Sequence, residues 1–403
     1  MILNNQDFIF FGLQPWDIEI GCNPRNMALV MAKHKNRILY VNRPLDRISY
    51  LRKRNDKKIQ ARIASWKKGI DELSEVKENI YVLNPRIIQE SINFLPQGRL
   101  FNRLNYMNTV RLANEVNKAV KKLDFKDPVI LIDDDFIKPF YFKELIPHSL
   151  LVYYIRDYLI SYPYFKRRKR LLYDFISKVD LVAANSAYLK EFTLKYNSSS
   201  IDIGQGCSVE LFASDKHTQP EDIRNIRRPV IGYCGALIEE RLDIGLLEKI
   251  AASRPDWSIV LVGKEDDKFA TSALHNLSNV FFLGSKPFDL IPDYVKSFDV
   301  CINPQVINDI TIGNYPLKID EYLAAGKPVV ATDTVAMKMF SEYVYLCNNA
   351  DEYIVNLEKA LKDEKYRSLK EDRKRFASSH TWEACVEKLY DGIIEKLHEP
   401  VSI

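Results

Sequence analysis

Gly313-Asn314-Tyr315-Pro316-Leu317-Lys318-Ile319-Asp320-Glu321-Tyr322-Leu323-Ala324-Ala325-Gly326-Lys327-Pro328-Val329-Val330-Ala331-Thr332 is the stretch that decides how this chain is built. It reads as a loop, a short helix and a buried strand. Pro316 suits the first turn of a helix, where a missing N–H costs nothing. Leu317, Tyr322 and Leu323 supply the apolar side. Gly326 stands where a left-handed cap is wanted, and Pro328 blocks continuation. Val329 to Thr332 has the unbroken apolar character of a parallel strand covered on both faces. The helix N-terminus offers unpaired N–H groups and a partial positive charge, a seat for a diphosphate. Lys318 adds a full charge there, and Glu321 stands one turn on, on the same face. A carboxylate accepts from both hydroxyls of a ribose. A diphosphate cradle with a ribose clamp is a nucleotide-sugar site.

Outward from this stretch the order is strand, helix, strand, repeated, which predicts parallel sheets with helices on both faces. Toward the start, strands are expected at Asp7–Gly12, Arg37–Asn42, Ile80–Asn84, Pro128–Ile132, Ser149–Ile155, Leu181–Asn185 and Ser200–Ile203. Helices are expected at Asn23–Lys33, Asn102–Lys122, Lys166–Val179 and Ala187–Tyr196, with residues 44–80 charged and irregular. Residues 212–228 are polar and proline-containing, as a linker is. A second unit opens at Pro229-Val230-Ile231-Gly232-Tyr233-Cys234-Gly235, again a strand followed by a glycine turn. Further strands are expected at Ser258–Gly263, Val280–Leu283 and Val300–Asn303, and a long amphipathic helix at Thr381–Leu397. Three parts result: 1–212, 213–380 and 381–403.

At 403 residues, 46% of them hydrophobic, the chain can fill two ordinary cores. No apolar run approaches the ~18 residues that span a bilayer, and the start lacks the basic region of a signal peptide. The six cysteines are scattered without a CxxC pair, which points to reduced thiols and a cytoplasmic chain. Charge is uneven. Residues 1–215 hold 34 Lys+Arg and 24 Asp+Glu, a difference of +10; the remainder holds 24 and 30, a difference of −6. The basic half is expected to meet something anionic. Within it, residues 51–58 and 158–170 mix basic side chains with aromatic or aliphatic ones. That composition suits an anionic membrane surface, here the inner face of the cell membrane, and equally single-stranded nucleic acid.

The segment from Gly313 to Thr332 resembles the donor-site motif of GT-B glycosyltransferases, the glycosyl transferases group 1 set, in a bacterial polysaccharide branch with the pattern P-x-K-x-x-E-Y-L-A-x-G-K-P-V-V. The resemblance is strong over about 229–345 and weaker over 1–210. It implies two Rossmann-like domains facing a cleft. The first, 1–212, would bind the acceptor and the second, 213–380, the nucleotide-sugar donor; the last helix, 381–403, would return to the first. It implies that Glu321 binds the ribose and that Lys318, with the backbone of Tyr315, Pro316 and Leu317, faces the diphosphate. Many members carry a second glutamate eight residues before the first, near the donor sugar; here that position is Gly313.

Other residues follow from the same resemblance. Ile231 to Leu237 resembles the opening strand and turn of the donor domain, with Gly235 letting backbone approach the ligand. Arg241 and Lys264 lie on neighbouring strand-end loops within reach of phosphate. The Leu283-Gly284-Ser285-Lys286-Pro287 loop would meet the base, largely through backbone groups. In the first half, Tyr153 to Tyr158 ends a strand, and Asp157 is the candidate base that deprotonates an acceptor hydroxyl if the reaction inverts. Asp17 and Arg25, on loop and helix start at the carboxyl end of the first strand, are candidates to touch the acceptor.

The expected function is transfer of a sugar from a nucleoside-diphosphate sugar, UDP-linked, to a saccharide or polyprenyl-linked acceptor, with no metal or other cofactor and no nucleic acid partner. Bland readings compete: Lys318 and Glu321 as solvated surface charges, the Gly232–Gly235 turn as a simple tight turn, the Leu283–Pro287 loop as an ordinary loop, Asp157 as a helix cap or salt-bridge partner, Arg241 as surface charge, and the basic runs as a solvated helix face. Asp133-Asp134-Asp135 also needs weighing, since oxygen-rich clusters hold hard cations. Metal-dependent transferases of that kind have one nucleotide domain, so the triplet is read as a strand end. Two rival functions are an epimerase of the same two-domain shape, which needs no acceptor, and a non-catalytic basic protein with steeply salt-dependent binding.

Overall fold

The computed structural model describes residues 1–18, 22–52, 56, 59–60, 62–64, 72–214, 216–362 and 369–399. Of the basic run at 51–58, Lys53, Arg54, Lys57 and Lys58 lie outside the described residues. The chain divides into two compact units, Met1–Gly204 with the chain from Cys385 on, and Gln205–Ala384. The division falls earlier than residue 212 because Cys207, Val209, Phe212 and Ile223 are buried in the core of the second unit.

Among the described residues the first unit has ten strands: β1 (Asp7–Gly12), β2 (Arg37–Val41), β3 (Leu45–Asp46), β4 (Leu73–Lys77), β5 (Ile80–Leu83), β6 (Ile88–Gln89), β7 (Val129–Asp133), β8 (Leu150–Ile155), β9 (Leu181–Ala184) and β10 (Ser200–Asp202). Eight form one sheet in the order β10-β9-β8-β7-β1-β2-β5-β4. Among the described residues only the β4–β5 pair is antiparallel. Strand β1 is buried at every residue, as Phe8-Ile9-Phe10-Phe11 requires, with Phe8 level with Ile38 of β2 and Val129 of β7. The chain therefore reverses its direction of growth between β1 and β7. In open α/β sheets such a switch point leaves a ligand crevice at the carboxyl ends of the strands. The helix expected over Lys166–Val179 is two pieces, Pro163–Lys166 and Lys169–Lys178. Arg168 between them is buried and donates to the carbonyls of Asn93 and Leu95. From Cys385 the last helix, Trp382–His398, belongs to this unit: Tyr390 packs on Phe8 and its hydroxyl accepts from Asn36 at 2.8 Å.

Among the described residues the second unit has six parallel strands, β11 (Val230–Cys234), β12 (Ser258–Val262), β13 (Val280–Phe282), β14 (Val300–Asn303), β15 (Val329–Thr332) and β16 (Tyr345–Cys347), in the order β13-β12-β11-β14-β15-β16. Its switch point lies between β11 and β14. All six cysteines are buried, and none forms a disulfide. Among the described residues no helix is long and apolar enough to cross a membrane.

Candidate functional site

The second unit brings together the parts that the sequence placed 80 residues apart. The helix Leu317–Ala324 follows β14 and runs into β15, so its N-terminus stands at the β11/β14 switch point. Pro316 is the N-cap rather than the first helical residue, and no side chain caps this end. At the other end Gly326 is left-handed (φ 70°), and the Gly326 and Lys327 N–H groups donate back to Leu323 and Tyr322. These two bonds satisfy the last carbonyls and stop the helix. The buried Tyr322 hydroxyl accepts from the Cys234 N–H at 2.9 Å and so fixes the helix against the end of β11.

Gly235 follows β11 with φ 145°, and its N–H donates to Val262 at 2.9 Å. A Cβ here would lie 2.9 Å from the Tyr233 hydroxyl and 3.3 Å from Lys318 Cε, and one on Gly263 would lie 1.8 Å from the Gly235 carbonyl oxygen. The turn thus leaves backbone open beside the lysine. Lys318 Nζ lies 5.0 Å from the Tyr233 ring centroid, held by the face of the ring.

Glu321 is half-buried by area but enclosed by protein atoms. Burial pushes its carboxyl up from 4.5 to about 7; Lys318 pulls the other way and Asp320 pushes further up. A carboxylate so placed gains when a ligand donates hydrogen bonds to its charged form.

Asp320, which the sequence did not single out, is fully buried beneath the helix. It accepts from the Tyr315 hydroxyl and faces His380 Nδ1, each at 2.8 Å. Burial raises its carboxyl, with His380 and Tyr315 opposing. Tyr315 therefore turns its ring inward and leaves only backbone toward the helix start. Asn314 is 9% exposed, and its side-chain oxygen is buried without a hydrogen-bond partner, one residue past Gly313.

Other expected donor residues lie on the loops after β11, β12 and β13. Arg241 lies on the loop after β11, which is tied to the end of β14 by bonds from Val306 to the Arg241 carbonyl and from Asp243 to the Pro304 carbonyl. Lys264 is exposed, its carbonyl accepting from Leu237. Lys286, two strands away after β13, donates to Asp222 at 2.6 Å, and the Tyr294 hydroxyl shares that acid. Its ammonium is engaged with that acid.

In the first unit, Asp133 ends β7, Asp134 follows it, and both are fully buried. Both face Arg156, at 2.5 Å and 3.5 Å. Burial raises both carboxyls and the guanidinium opposes it. Asp135 caps Ile137 and Lys138 and lies 3.1 Å from Arg43. The triplet is thus taken up by arginines and backbone, and among the described residues no group of three His, Cys, Asp or Glu could hold a metal. Asp157 sits just past β8, half-buried. Asp17 is exposed; Arg25 donates to the Ile18 and Trp16 carbonyls and braces the loop that carries it.

Two doubly wound parallel sheets, each with its switch point, and an uncapped helix start beside a glycine turn in the second, define the GT-B fold. Solved structures agree across nearly the whole chain. A sucrose-phosphate synthase from Thermosynechococcus elongatus matches 97% of this chain and 99% of its own at TM-score 0.70 and 14% identity. Anabaena Alr3699/HepE, solved with UDP, matches 97% and 100% at 0.64 and 16%. An α,α-trehalose-phosphate synthase (UDP-forming) from Burkholderia vietnamiensis matches 99% and 100% at 0.70 and 10%.

Within that fold, residues 228–363 match the family described as Glycosyl transferases group 1. A Bacillus subtilis (strain 168) protein with the provisional name teichuronic acid biosynthesis glycosyltransferase TuaH is 29% identical over 231 residues. That match spans 54% of this chain and 58% of the relative.

Proposed function

We propose that the protein is a glycosyltransferase that moves a sugar from a UDP-sugar to a saccharide or lipid-linked saccharide in bacterial surface polysaccharide synthesis. The observation that carries the reading is the convergence of Gly235, Lys318 and Glu321 on one uncapped helix start at the β11/β14 switch point. The diphosphate would rest on the Tyr315–Leu317 backbone and Lys318, and the ribose on Glu321. The HepE structure with UDP and the name of the Bacillus relative favour UDP and a polysaccharide acceptor.

In the reaction the anomeric carbon exchanges its bond to the diphosphate for one to the acceptor oxygen. Lys318 and the helix start stabilise charge growing on the leaving group, where preorganised charge helps most. Asp157 would take the acceptor proton in an inverting reaction, and Asp17 would contact the acceptor while Arg25 holds its loop. No step needs a metal. Calorimetry with UDP and GDP in chelator tests the donor reading on wild type and Glu321→Ala. UDP binding lost in the variant is expected; equal binding by both would sink it.

The first unit is assigned to the inner membrane face. Lys166, Arg167, Lys169 and Arg170 are exposed, and Arg168 ties their segment to the loop carrying Phe94, which is 72% exposed. Arg168 itself is buried and contributes nothing to such a surface. Sedimentation with vesicles containing phosphatidylglycerol should retain the protein at low salt, and Phe94→Ser should weaken retention. Equal retention on neutral vesicles would refute the assignment.

A further inference from the structure

The first unit has a pocket at the carboxyl ends of β1, β2 and β7, where its switch point lies. Leu13 follows β1, Arg43 follows β2, and Asp135 and Lys138 follow β7. The helix Arg99–Leu123 supplies Asn105 to the wall, and Tyr164 and Phe165 add their rings. The volume is about 200 Å³. That is below the ~300–1,000 Å³ of pockets for drug-sized ligands, so the space suits a single ring. Asn93 at the rim is exposed and the Arg43 side chain is 40% exposed, so the pocket opens to solvent.

Most polar side chains of the wall hold one another. Gln89 accepts from Lys138 at 2.6 Å and donates to the Asn108 carbonyl. Asn108 exchanges two bonds with the Glu90 backbone, and Ser91 donates to Asp46. Among the described residues, three side chains keep capacity to spare. Asn105 is 2% exposed; its amide nitrogen donates to the Ile137 carbonyl at 2.9 Å, and its side-chain oxygen accepts no hydrogen bond. Lys138 spends one of its three ammonium protons, on Gln89. Burial and Arg43 push that ammonium down to about 8, against Asp135 and Asp46. Arg43 lies 3.1 Å from Asp135, yet neither Arg43 Nε nor Asp135 Oδ2 has a hydrogen-bond partner. Asp135 Oδ1 accepts from the Ile137 and Lys138 N–H groups, which fixes the acid and the guanidinium beside it.

The set mixes an amide oxygen that only accepts with cations that only donate. A hydroxyl does both, and hydroxyls on neighbouring ring carbons can meet the two kinds together. An anion only accepts, so it would leave the Asn105 oxygen unmet, and Asp135 and Asp46 would oppose it. Leu13, Ile137 and Phe165 offer apolar surface to the C–H face of such a ring. We propose that this pocket holds one neutral pyranose ring of the acceptor by its hydroxyls, an inference that rests on the transferase reading above and names the part of the acceptor that the first unit recognises. Lys138, Arg43 and Asn105 make the contacts, and Asp135 positions Arg43.

Saturation-transfer NMR titrations would use the methyl glycosides of glucose, galactose, mannose and N-acetylglucosamine, with inorganic phosphate as the anion. At least one glycoside should bind wild type, and bind Glu321→Ala and UDP-saturated wild type equally well. Lys138→Met should weaken it about tenfold, as expected for a lost hydrogen bond from a charged group. If a melt shows that this variant does not fold, Arg43→Gln, at a partly exposed side chain, should still weaken the glycoside about threefold. UDP titration of the same samples separates the two readings. UDP bound with no glycoside bound would leave the donor site standing and overturn the pocket; glycoside bound without UDP would sink the donor reading and leave a saccharide site here. Binding unmoved by both substitutions, displacement of the glycoside by UDP, or phosphate bound in its place would also overturn the proposal.

Discussion

Replacing Glu321 by glutamine should make the protein more stable and a worse nucleotide binder. Folding raises this carboxyl from 4.5 to about 7. The folded state therefore prefers the protonated acid; that preference is fully present below about pH 4.5 and is lost as pH rises through about 7. At about 1.4 kcal/mol per pH step, the charge carried at pH 8 would cost about 3 kcal/mol. Partial exposure lets solvent screen it, which brings the figure to about 1–2 kcal/mol. Glutamine has the shape without the charge, so Glu321→Gln should raise Tm at pH 8 by roughly 2–8 °C. The gain should vanish near pH 4.5. The same substitution weakens hydrogen bonds from two ribose hydroxyls to a charged acceptor, about 1.5–3 kcal/mol or roughly 10–150-fold in UDP affinity. Scanning calorimetry across pH and UDP titration at pH 8 read both effects. A variant no more stable at pH 8, an advantage that persists at low pH, or an unchanged UDP affinity would refute the reasoning.

Gly235→Ala puts a methyl against Tyr233 and Lys318 at a left-handed φ; UDP affinity should fall at least tenfold, read by the same titration. Arg156→Met strands two buried acids that now share one guanidinium; urea unfolding should show a loss of about 3–5 kcal/mol. Asn314→Ala removes a buried oxygen without a partner near the helix start. If that oxygen serves the donor sugar, the variant should lose affinity for UDP-sugar about tenfold while UDP binding stays put; parallel losses for both would refute the role. Asp222→Asn breaks the half-exposed pair with Lys286 and should cost no more than about 1 kcal/mol in a melt.

The fold was legible because its signals are local. Phe8-Ile9-Phe10-Phe11 and Val329-Val330-Ala331-Thr332 announce covered strands without reference to anything distant, and Gly326 with Pro328 ends a helix through its own backbone geometry. The edge strand Leu73–Lys77 was missed in a segment read as irregular, since a sheet edge facing water has no covered face to impose an apolar run. The candidate site was half legible for a related reason. Lys318 and Glu321 are one turn apart, so spacing alone puts them on one face. Asp320 and Glu321 are neighbours in sequence but point about 100° apart around a helix. Asp320 is fully buried in the core, whereas Glu321 is half-buried. What makes the buried one tolerable is His380, 60 residues on, and no local pattern announces a partner at that distance. Sequence therefore yields sites that one helix can display, and topology yields the sites that several strands assemble.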